Sequence, residues 1–581
     1  MAGGPLIVQS DRTLLLEIDH EQAEACRAAI APFAELEKAP EHVHTYRITP
    51  LALWNASAAG HDAEQCVDAL LSFSRYDLPQ ALLIDVVDTM SRYGRLVIEN
   101  DPIFGLVLRS TDDAVLAEVR RNKAVQPLLG EVLGPDLVQI QPAERGRLKQ
   151  ALIKVGWPAE DRAGYVDGTA FAMSLLLTGD VVAGAPSAGS DRGAGCAAAD
   201  APAEEASEKR PIEIRPYQRL AADAFWAGGS GVIVLPCGAG KTIVGMAAMC
   251  KAQATTLILV TNTVSARQWK AELLARTTLC ESDIGEYSGE RKEIRPVTIA
   301  TYQVMISKVK GEYRHLSLFD AQDWGLIIYD EVHLLPAPVF RATADIQSRR
   351  RLGLTATLLR EDGRERDVFS LIGPKRYDVP WRDVEAQGWI APATCIEVRV
   401  TLTDEERMTY ALSDPEVSYR VGSTAVSKLA VVEALVKRHT DDRVLVIGQF
   451  IEQLETIAFF LKAPLITGKT PNKDRERLYE AFRKGEERLL VVSKVANFSI
   501  DLPEASVAIQ VSGSFGSRQE EAQRLGRILR PKSDGRQAHF YAVVSRDTND
   551  QSFAANRQRF LAEQGYAYTI VDGAEVIDPP D

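Results

Sequence analysis

Apolar positions follow two rhythms along this chain, and the rhythm changes once. Up to about residue 180 helical spacing dominates. Asp62 to Leu71 and Leu78 to Tyr93 place apolar side chains three and four apart. Two β-like runs, Arg95 to Glu99 and Gly105 to Ser110, flank Asn100-Asp101-Pro102 and predict a hairpin. Residues 1–180 therefore read as a small α+β accessory domain. From residue 211 short apolar runs recur between helical stretches: Val232 to Leu235, Thr256 to Val260, Val297 to Ala300, Leu326 to Tyr329 and Arg351 to Leu354. A second series occupies Arg443 to Ile447, Ala463 to Ile466, Leu489 to Val492, Val507 to Val511 and Ala538 to Val544. Strands that are apolar on both faces and alternate with helices predict doubly wound parallel sheets. The expected fold class is α/β, with tandem domains at 211–390 and 391–581 joined near Gln387 to Ala393.

Between the two rhythms, 19 of the 30 residues from Val181 to Arg210 are Ala, Gly, Ser or Pro, and none is aromatic, Leu or Ile. Such a stretch cannot bury enough apolar area to offset its ordering entropy, so 181–210 is expected to be a flexible linker. The formal charge of −13 argues, taken alone, against a nucleic-acid partner. The sum is uneven, however. Up to residue 210 there are 31 acidic against 19 basic side chains, and beyond it 49 against 48. The second part is nearly neutral, with arginines gathered at 349–351, 360–366 and 524–530. The acidic first third is expected to bind DNA poorly, and to restrain the rest of the chain or dock a protein. Apolar residues make up 46%, yet no apolar run approaches the ~18 residues of a membrane helix, so no membrane partner is expected. Seven scattered cysteines without a CxxC pair point to a reduced, cytoplasmic protein.

Leu235-Pro236-Cys237-Gly238-Ala239-Gly240-Lys241-Thr242 follows one apolar run and opens a helical stretch. Gly238, Ala239 and Gly240 let backbone N–H groups converge on a phosphate at a helix N-terminus. Lys241 would reach the β- and γ-phosphates of ATP, and the Thr242 hydroxyl would ligate Mg²⁺. Taken alone, a Gly-rich turn before a helix remains an alternative. The second element narrows it: the run Leu326 to Tyr329 ends in Asp330-Glu331-Val332-His333, where ligands gather at strand ends. Asp330 is placed for the Mg²⁺ shell, and Glu331 to orient or deprotonate a water. Far downstream, Gln523, Arg527 and Arg530 share one helical face, suited to delivering an arginine across a cleft to the γ-phosphate.

These motifs, in this order over about 211–571, resemble those of superfamily 2 helicases, and more closely the XPB-type DNA repair helicases. The resemblance implies two RecA-like P-loop domains after an accessory domain, ATP and Mg²⁺ as cofactors, DNA as partner and 3′→5′ polarity. Arg215-Pro216-Tyr217-Gln218 resembles the adenine-side motif, with Gln218 as base reader and Arg215 beside it. Thr261 to Trp269 and Thr298 to Gln303 are similar to strand-contacting motifs, which implies DNA contacts at Thr301 and Gln303. Thr355-Ala356-Thr357 resembles the motif that couples the γ-phosphate to DNA, together with His333 and, in a later segment, Asp501. Gln523 implies an ATP contact, and Arg527 and Arg530 finger roles. Arg360-Glu361-Asp362 is similar to the family's strand-separating element. Ser517 to Ala522, Arg557 to Leu561 and Gln564-Gly565-Tyr566 also match. A thumb-like insertion is implied at about 400–440. One departure stands out: Ala496-Asn497-Phe498 occupies the place of Gly-Asp-Thr, which bears on coupling rather than on hydrolysis.

His42 and His44 lack further ligands at metal spacing and are expected at the surface. Trp157, Trp269, Trp324 and Trp381 are expected in cores rather than as base platforms. Three functions stay open beside the DNA helicase: a duplex translocase, an RNA remodeller, and a nucleotide-gated scaffold for a partner nuclease.

Overall fold

The computed structural model describes residues 4–39, 42–178, 209–236, 238–309, 311–347, 349–356, 365–379, 381–388, 393–493, 505–513, 537–563, 566 and 568–578. Two seven-stranded sheets dominate it. The first has the spatial order Ile284–Tyr287, Val297–Thr301, Thr256–Val260, Leu326–Asp330, Arg350–Thr355, Ser230–Val234 and Lys375–Asp378. The second runs Leu465–Ile466, Leu489–Ser493, Val444–Gly448, Val507–Gln510, Ala538–Ser545, Ala393–Val400 and Tyr568–Asp572. Every pairing in both is parallel. The central strands are buried along their whole length, which is why they read as unbroken apolar runs. The edge strands Lys375–Asp378 and Tyr568–Asp572 are half-exposed, and only the first is polar.

Residues 4–161 hold two small sheets with separate cores. The first is antiparallel, in the order Leu6–Val8, Thr13–Glu17, Val43–Arg47, Glu35–Lys38, and is packed with helices that include Ala63–Phe73 and Gln80–Ser91. Asp62 starts the former helix through a capping box with Gln65. The second sheet contains the hairpin Leu96–Asp101 and Gly105–Ser110, paired antiparallel, with Ala159–Asp161 alongside. His44 departs from expectation. It is 5% exposed, because it shares the inward face of Val43–Arg47 with Tyr46. Burial, helped by Arg27, pulls its pKa down to about 4, so it is neutral.

The accessory sheets lie against the first parallel sheet. Helix Arg145–Lys154 crosses Ala337–Asp345 at Gly146, where a Cβ would strike the Ala344 backbone. Trp54, Ile153 and Phe369 form a small apolar cluster across this seam. Residues 165–178 continue onto the same domain: Thr169 N–H bonds the Asp323 carbonyl, and Ala170 bridges Ala254. Ala562, near the end of the helix Asn549–Glu563, packs into the core of the first accessory sheet. Downstream of the second parallel sheet's first strand, Asp404–Leu412 and Pro415–Ser423 form two packed helices within the span expected to hold the insertion.

Of the arginines at 349–351, Arg351 is turned inward, whereas Arg349 and Arg350 are half-buried. Arg351 is wholly buried and donates to the carbonyls of Leu371, Gln347 and Arg349. Arg349 pairs with Asp323, and Arg350 lies over Trp226. A run of basic letters at a strand start reads the same whether it faces solvent or carbonyls.

Candidate active site

Strand Ser230–Val234 ends at the glycine loop expected to hold phosphate, and helix Lys241–Ala252 begins immediately after it. Gly238 and Gly240 both have φ of +81°, the left-handed region that favours glycine. At Gly240 a side chain is also excluded sterically, because a Cβ would collide with the Gln218 amide. Two side chains brace the loop from behind. Gln218 Nε2 and Tyr217 Oη each donate to the Ala239 carbonyl at 2.8 Å, and Arg215 Nη1 donates to Tyr217 Oη at 2.9 Å.

The neighbouring strand ends converge on this loop. Thr355 pairs with Val234 in register, and Asp330 with Leu354. Lys241 Nζ lies 3.4 Å from Glu331 Oε1. Glu331 has φ +48° and ψ +54°, a left-handed conformation that costs a non-glycine residue about 1 kcal/mol and is typical of functional sites. His333 Nδ1 is 2.7 Å from Thr355 Oγ1 and 3.5 Å from Glu331 Oε2. A chain of contacts thus runs Lys241, Glu331, His333, Thr355 across three adjacent strand ends.

The two acids titrate in opposite directions. Burial and the neighbouring Glu331 charge push Asp330 up to about 6, against the Trp269 hydrogen bond and Lys241. For Glu331 burial also raises the pKa, but Lys241 and His333 outweigh it and hold the carboxyl below its usual value. One lysine facing two carboxylates leaves an excess of negative charge in a poorly hydrated place, and all the donors are hard oxygens. That suits a divalent cation such as Mg²⁺ on Asp330 and Thr242.

Three family descriptions match the chain: "ERCC3/RAD25/XPB C-terminal helicase" at 384–579, "Type III restriction enzyme, res subunit" at 211–360 and "Helicase conserved C-terminal domain" at 6–134. A DNA 3'-5' helicase XPB of Mycobacterium tuberculosis is 65% identical over 579 residues, covering 100% of both chains. The chain belongs to the XPB family of superfamily 2 helicases. Its namesake in Kineococcus radiotolerans is 66% identical over 576 residues, 99% of this chain and 98% of that one. A Saccharomyces cerevisiae protein, named as the XPB/SSL2 helicase/translocase subunit of a general transcription and DNA repair factor IIH, is 30% identical over 98% of this chain and 72% of its own. As an XPB-family member the protein is an ATP-using helicase. Among its described residues no helix is long and apolar enough to cross a membrane.

The structure gathers Gly238, Ala239, Gly240, Lys241, Thr242, Asp330, Glu331, His333 and Thr355 at one sheet edge. Gln218 is 3% exposed, with its amide on the Ala239 carbonyl and the Arg215 N–H. Thr301 is 1% exposed and caps the short helix after it through Val304 N–H, whereas Gln303 faces solvent. Thr357, Arg360, Glu361, Asp362, Asp501, Gln523, Arg527 and Arg530 lie outside the described residues, as do Cys237 and most of the expected linker.

Sequence reasoning missed two residues that hold Asp330. Trp269 is 2% exposed, as a core residue should be, yet its indole N–H donates to Asp330 Oδ2 at 2.9 Å. Tyr302 Oη donates to the Asp330 carbonyl at 2.8 Å. A signal for the first existed in Gly245. A mid-helix glycine costs stability, and here a Cβ would collide with the Trp269 ring.

Proposed function

We propose that this XPB-family protein is an ATP-driven, Mg²⁺-dependent 3′→5′ DNA helicase or translocase acting in DNA repair inside the cell. The observation that carries the reading is the contact chain from Lys241 through Glu331 and His333 to Thr355, in a chain matched end to end by a named DNA 3'-5' helicase.

The backbone of Gly238 to Gly240 cradles the phosphates, and Lys241 holds the β- and γ-oxygens. Mg²⁺ on Thr242 and Asp330 would neutralise charge on the phosphate oxygens. Glu331, freed from Lys241 when the lysine turns to phosphate, orients a water and accepts its proton. That water attacks the γ-phosphorus as the bond to the β–γ bridging oxygen breaks, leaving ADP and phosphate. Arg527 and Arg530, with Gln523, would complete the site from the second domain. Because His333 bonds Thr355 and touches Glu331, loss of the γ-phosphate is felt at the strand end that leads to Thr357 and the Arg360-Glu361-Asp362 element. Asp501 would serve the same coupling from the other domain. Gln303, exposed at its own strand end, is the better DNA contact of its pair, and Thr301 shapes the turn. Gln218 and Arg215 then support the phosphate loop as well as flanking the adenine. The acidic accessory region is the surface on which a protein partner such as a repair nuclease would dock.

ATPase rates with single-stranded DNA, duplex DNA and RNA, and displacement of a 3′-tailed duplex, test the reading together. DNA should stimulate turnover, RNA should not, and the 3′-tailed duplex should be separated in preference to a 5′-tailed one. Equal stimulation by RNA would refute the DNA assignment. Turnover on duplex without displacement would make the protein a translocase only.

A further inference from the structure

A half-open cavity of about 620 Å³ lies at the seam between the accessory region and the first parallel sheet. It touches the first residues of two strands, Ser230 and Arg350, and Pro374 just before a third, so it sits at the sheet edge opposite the phosphate loop. Its volume is within the roughly 300–1,000 Å³ of small-molecule sites.

Four cations line it, Lys149, Arg162, Arg350 and Arg376, against two carboxylates, Glu160 and Asp161. Both carboxylates are already engaged. Asp161 bonds Arg145 at 2.6 Å and Lys149 at 2.9 Å, and Glu160 bonds Arg162 at 2.6 Å. Arg376 spends its guanidinium on three carbonyls, those of Ser230, Ala58 and Gly228, at 2.9, 3.3 and 3.4 Å. Carbonyls orient the group without cancelling its charge, and no carboxylate among the described residues lies within ion-pair distance of it. The nearest carboxylate to Arg350, Asp167, is 3.9 Å away and its side chain is 96% exposed. One wall therefore carries two positive charges, Arg376 with no carboxylate partner among the described residues and Arg350 with only a distant, solvent-exposed one.

The sequence builds that wall. Ala227-Gly228-Gly229-Ser230-Gly231 is a small-residue run that the phosphate chemistry does not need. A Cβ at Gly228 or Gly231 would collide with Arg376, and one at Gly229, where φ is +68°, with the Tyr165 ring. Tyr165 Oη is 2.6 Å from Ser230 Oγ, and Arg350 lies over both Trp226 and Tyr165, 4.4 and 5.4 Å from their ring centres. Both guanidiniums are thus held in place before any ligand arrives, which lowers the entropic cost of binding.

We propose that this cavity binds a small organic anion bearing a diphosphate or comparable dianionic phosphate group. Arg350 and Arg376 would take the phosphate oxygens through charge-assisted hydrogen bonds. The rings of Tyr93 and Phe369, on the lining beside them, would meet the organic part. Because Tyr93, Lys149 and Arg162 come from the accessory region and Arg350 and Arg376 from the first domain, the ligand also ties the two together and stabilises the docked arrangement by mass action.

The phosphate loop binds similar anions, so the test uses full-length protein carrying Lys241→Ala, with inorganic diphosphate and ADP as separate calorimetric probes. One equivalent of diphosphate should bind and raise the thermal midpoint. Arg350→Gln and Arg376→Gln should each weaken it about tenfold, while Arg376→Lys retains most of the affinity. If Arg376→Gln does not fold, Arg350→Gln decides alone, since it leaves the carbonyl-bonded side chain intact. Absence of binding at millimolar probe, or affinity unchanged in the Arg350 variant, overturns the proposal. So does displacement of diphosphate by a short oligothymidylate bound more tightly, which would assign the cavity to a nucleic-acid strand.

Discussion

Asp330 and Asp161 are both aspartates largely withdrawn from water, one at the proposed nucleotide site and one at the accessory seam, and their carboxyls shift in opposite directions. Burial pushes both up. At the seam Lys149 and Arg145 outweigh burial and hold Asp161 far below the usual carboxylate range. At the nucleotide site a second carboxylate adds to burial, and a single shared lysine does not offset the two, so Asp330 rises to about 6. The Asp161 cluster is electrostatically finished, whereas the nucleotide site is built to be completed by something that comes and goes. A buried charge with full pairing fixes geometry; one left short of pairing stores affinity for a cation or a phosphate.

The largest effects should come from removing charge on the unfinished side. Lys241→Ala is expected to abolish DNA-stimulated ATPase, by about 10³-fold or more, while the thermal midpoint changes little. Retained hydrolysis would remove Lys241 from the site. Arg527→Ala should lower kcat by about 10³-fold, the low end for an arginine finger, and leave ATP binding nearly intact. Equal losses in both would argue against a finger.

At the seam the expectation reverses. Asp161→Asn leaves Lys149 and Arg145 buried without their counter-charge, and losing one partner of such a pair costs about 3–5 kcal/mol. Chemical unfolding should show the loss, with DNA-stimulated turnover per folded molecule changed far less. A variant with normal stability and no activity would erase the contrast. The pH dependence carries the same sign. Because the folded carboxyl is depressed, its stabilisation is present above the ordinary aspartate range and is lost as pH falls through that range and below it. Burial depresses Lys149 to about 8, so its contribution is a penalty, and stability rises with pH here too as that penalty is relieved from about 8 toward the free lysine value. Stability curves of wild type and Asp161→Asn should therefore converge at low pH.

The gathering of residues at the proposed nucleotide site was legible because the motifs are local. Gly238, Gly240, Lys241 and the Asp330-Glu331 pair sit in short runs tied to strand ends, and apolar strands buried on both faces announce themselves. The seam was not legible, since Lys149, Asp161 and Gln347 meet only in three dimensions, with Lys149 Nζ 3.0 Å from Gln347 Oε1. The surroundings of arginines 349–351 were hidden for the same reason: only the fold shows that Leu371 and Gln347 carbonyls wait for Arg351. His44 was misplaced because strand Val43–Arg47 is short and polar, and its inward face is defined by Leu16 and Leu36 on neighbouring strands.

Trp269 lies between the two cases, a core side chain with one polar atom in the site, and its substitution should have the smallest effect. Trp269→Phe keeps a ring beside Gly245 and removes the 2.9 Å bond to Asp330 Oδ2. That bond favours the ionised carboxyl, so its loss should raise the Asp330 pKa further and weaken its hold on a cation. The expected result is a few-fold rise in the Mg²⁺ concentration needed for half-maximal ATPase, with kcat at saturating Mg²⁺ nearly restored. The lost hydrogen bond is worth about 1–2 kcal/mol, which sets the ceiling of the effect. A fall in kcat that added Mg²⁺ does not rescue would mean that Trp269 works through packing of the Lys241–Ala252 helix, and would remove the indole from the proposed cation site.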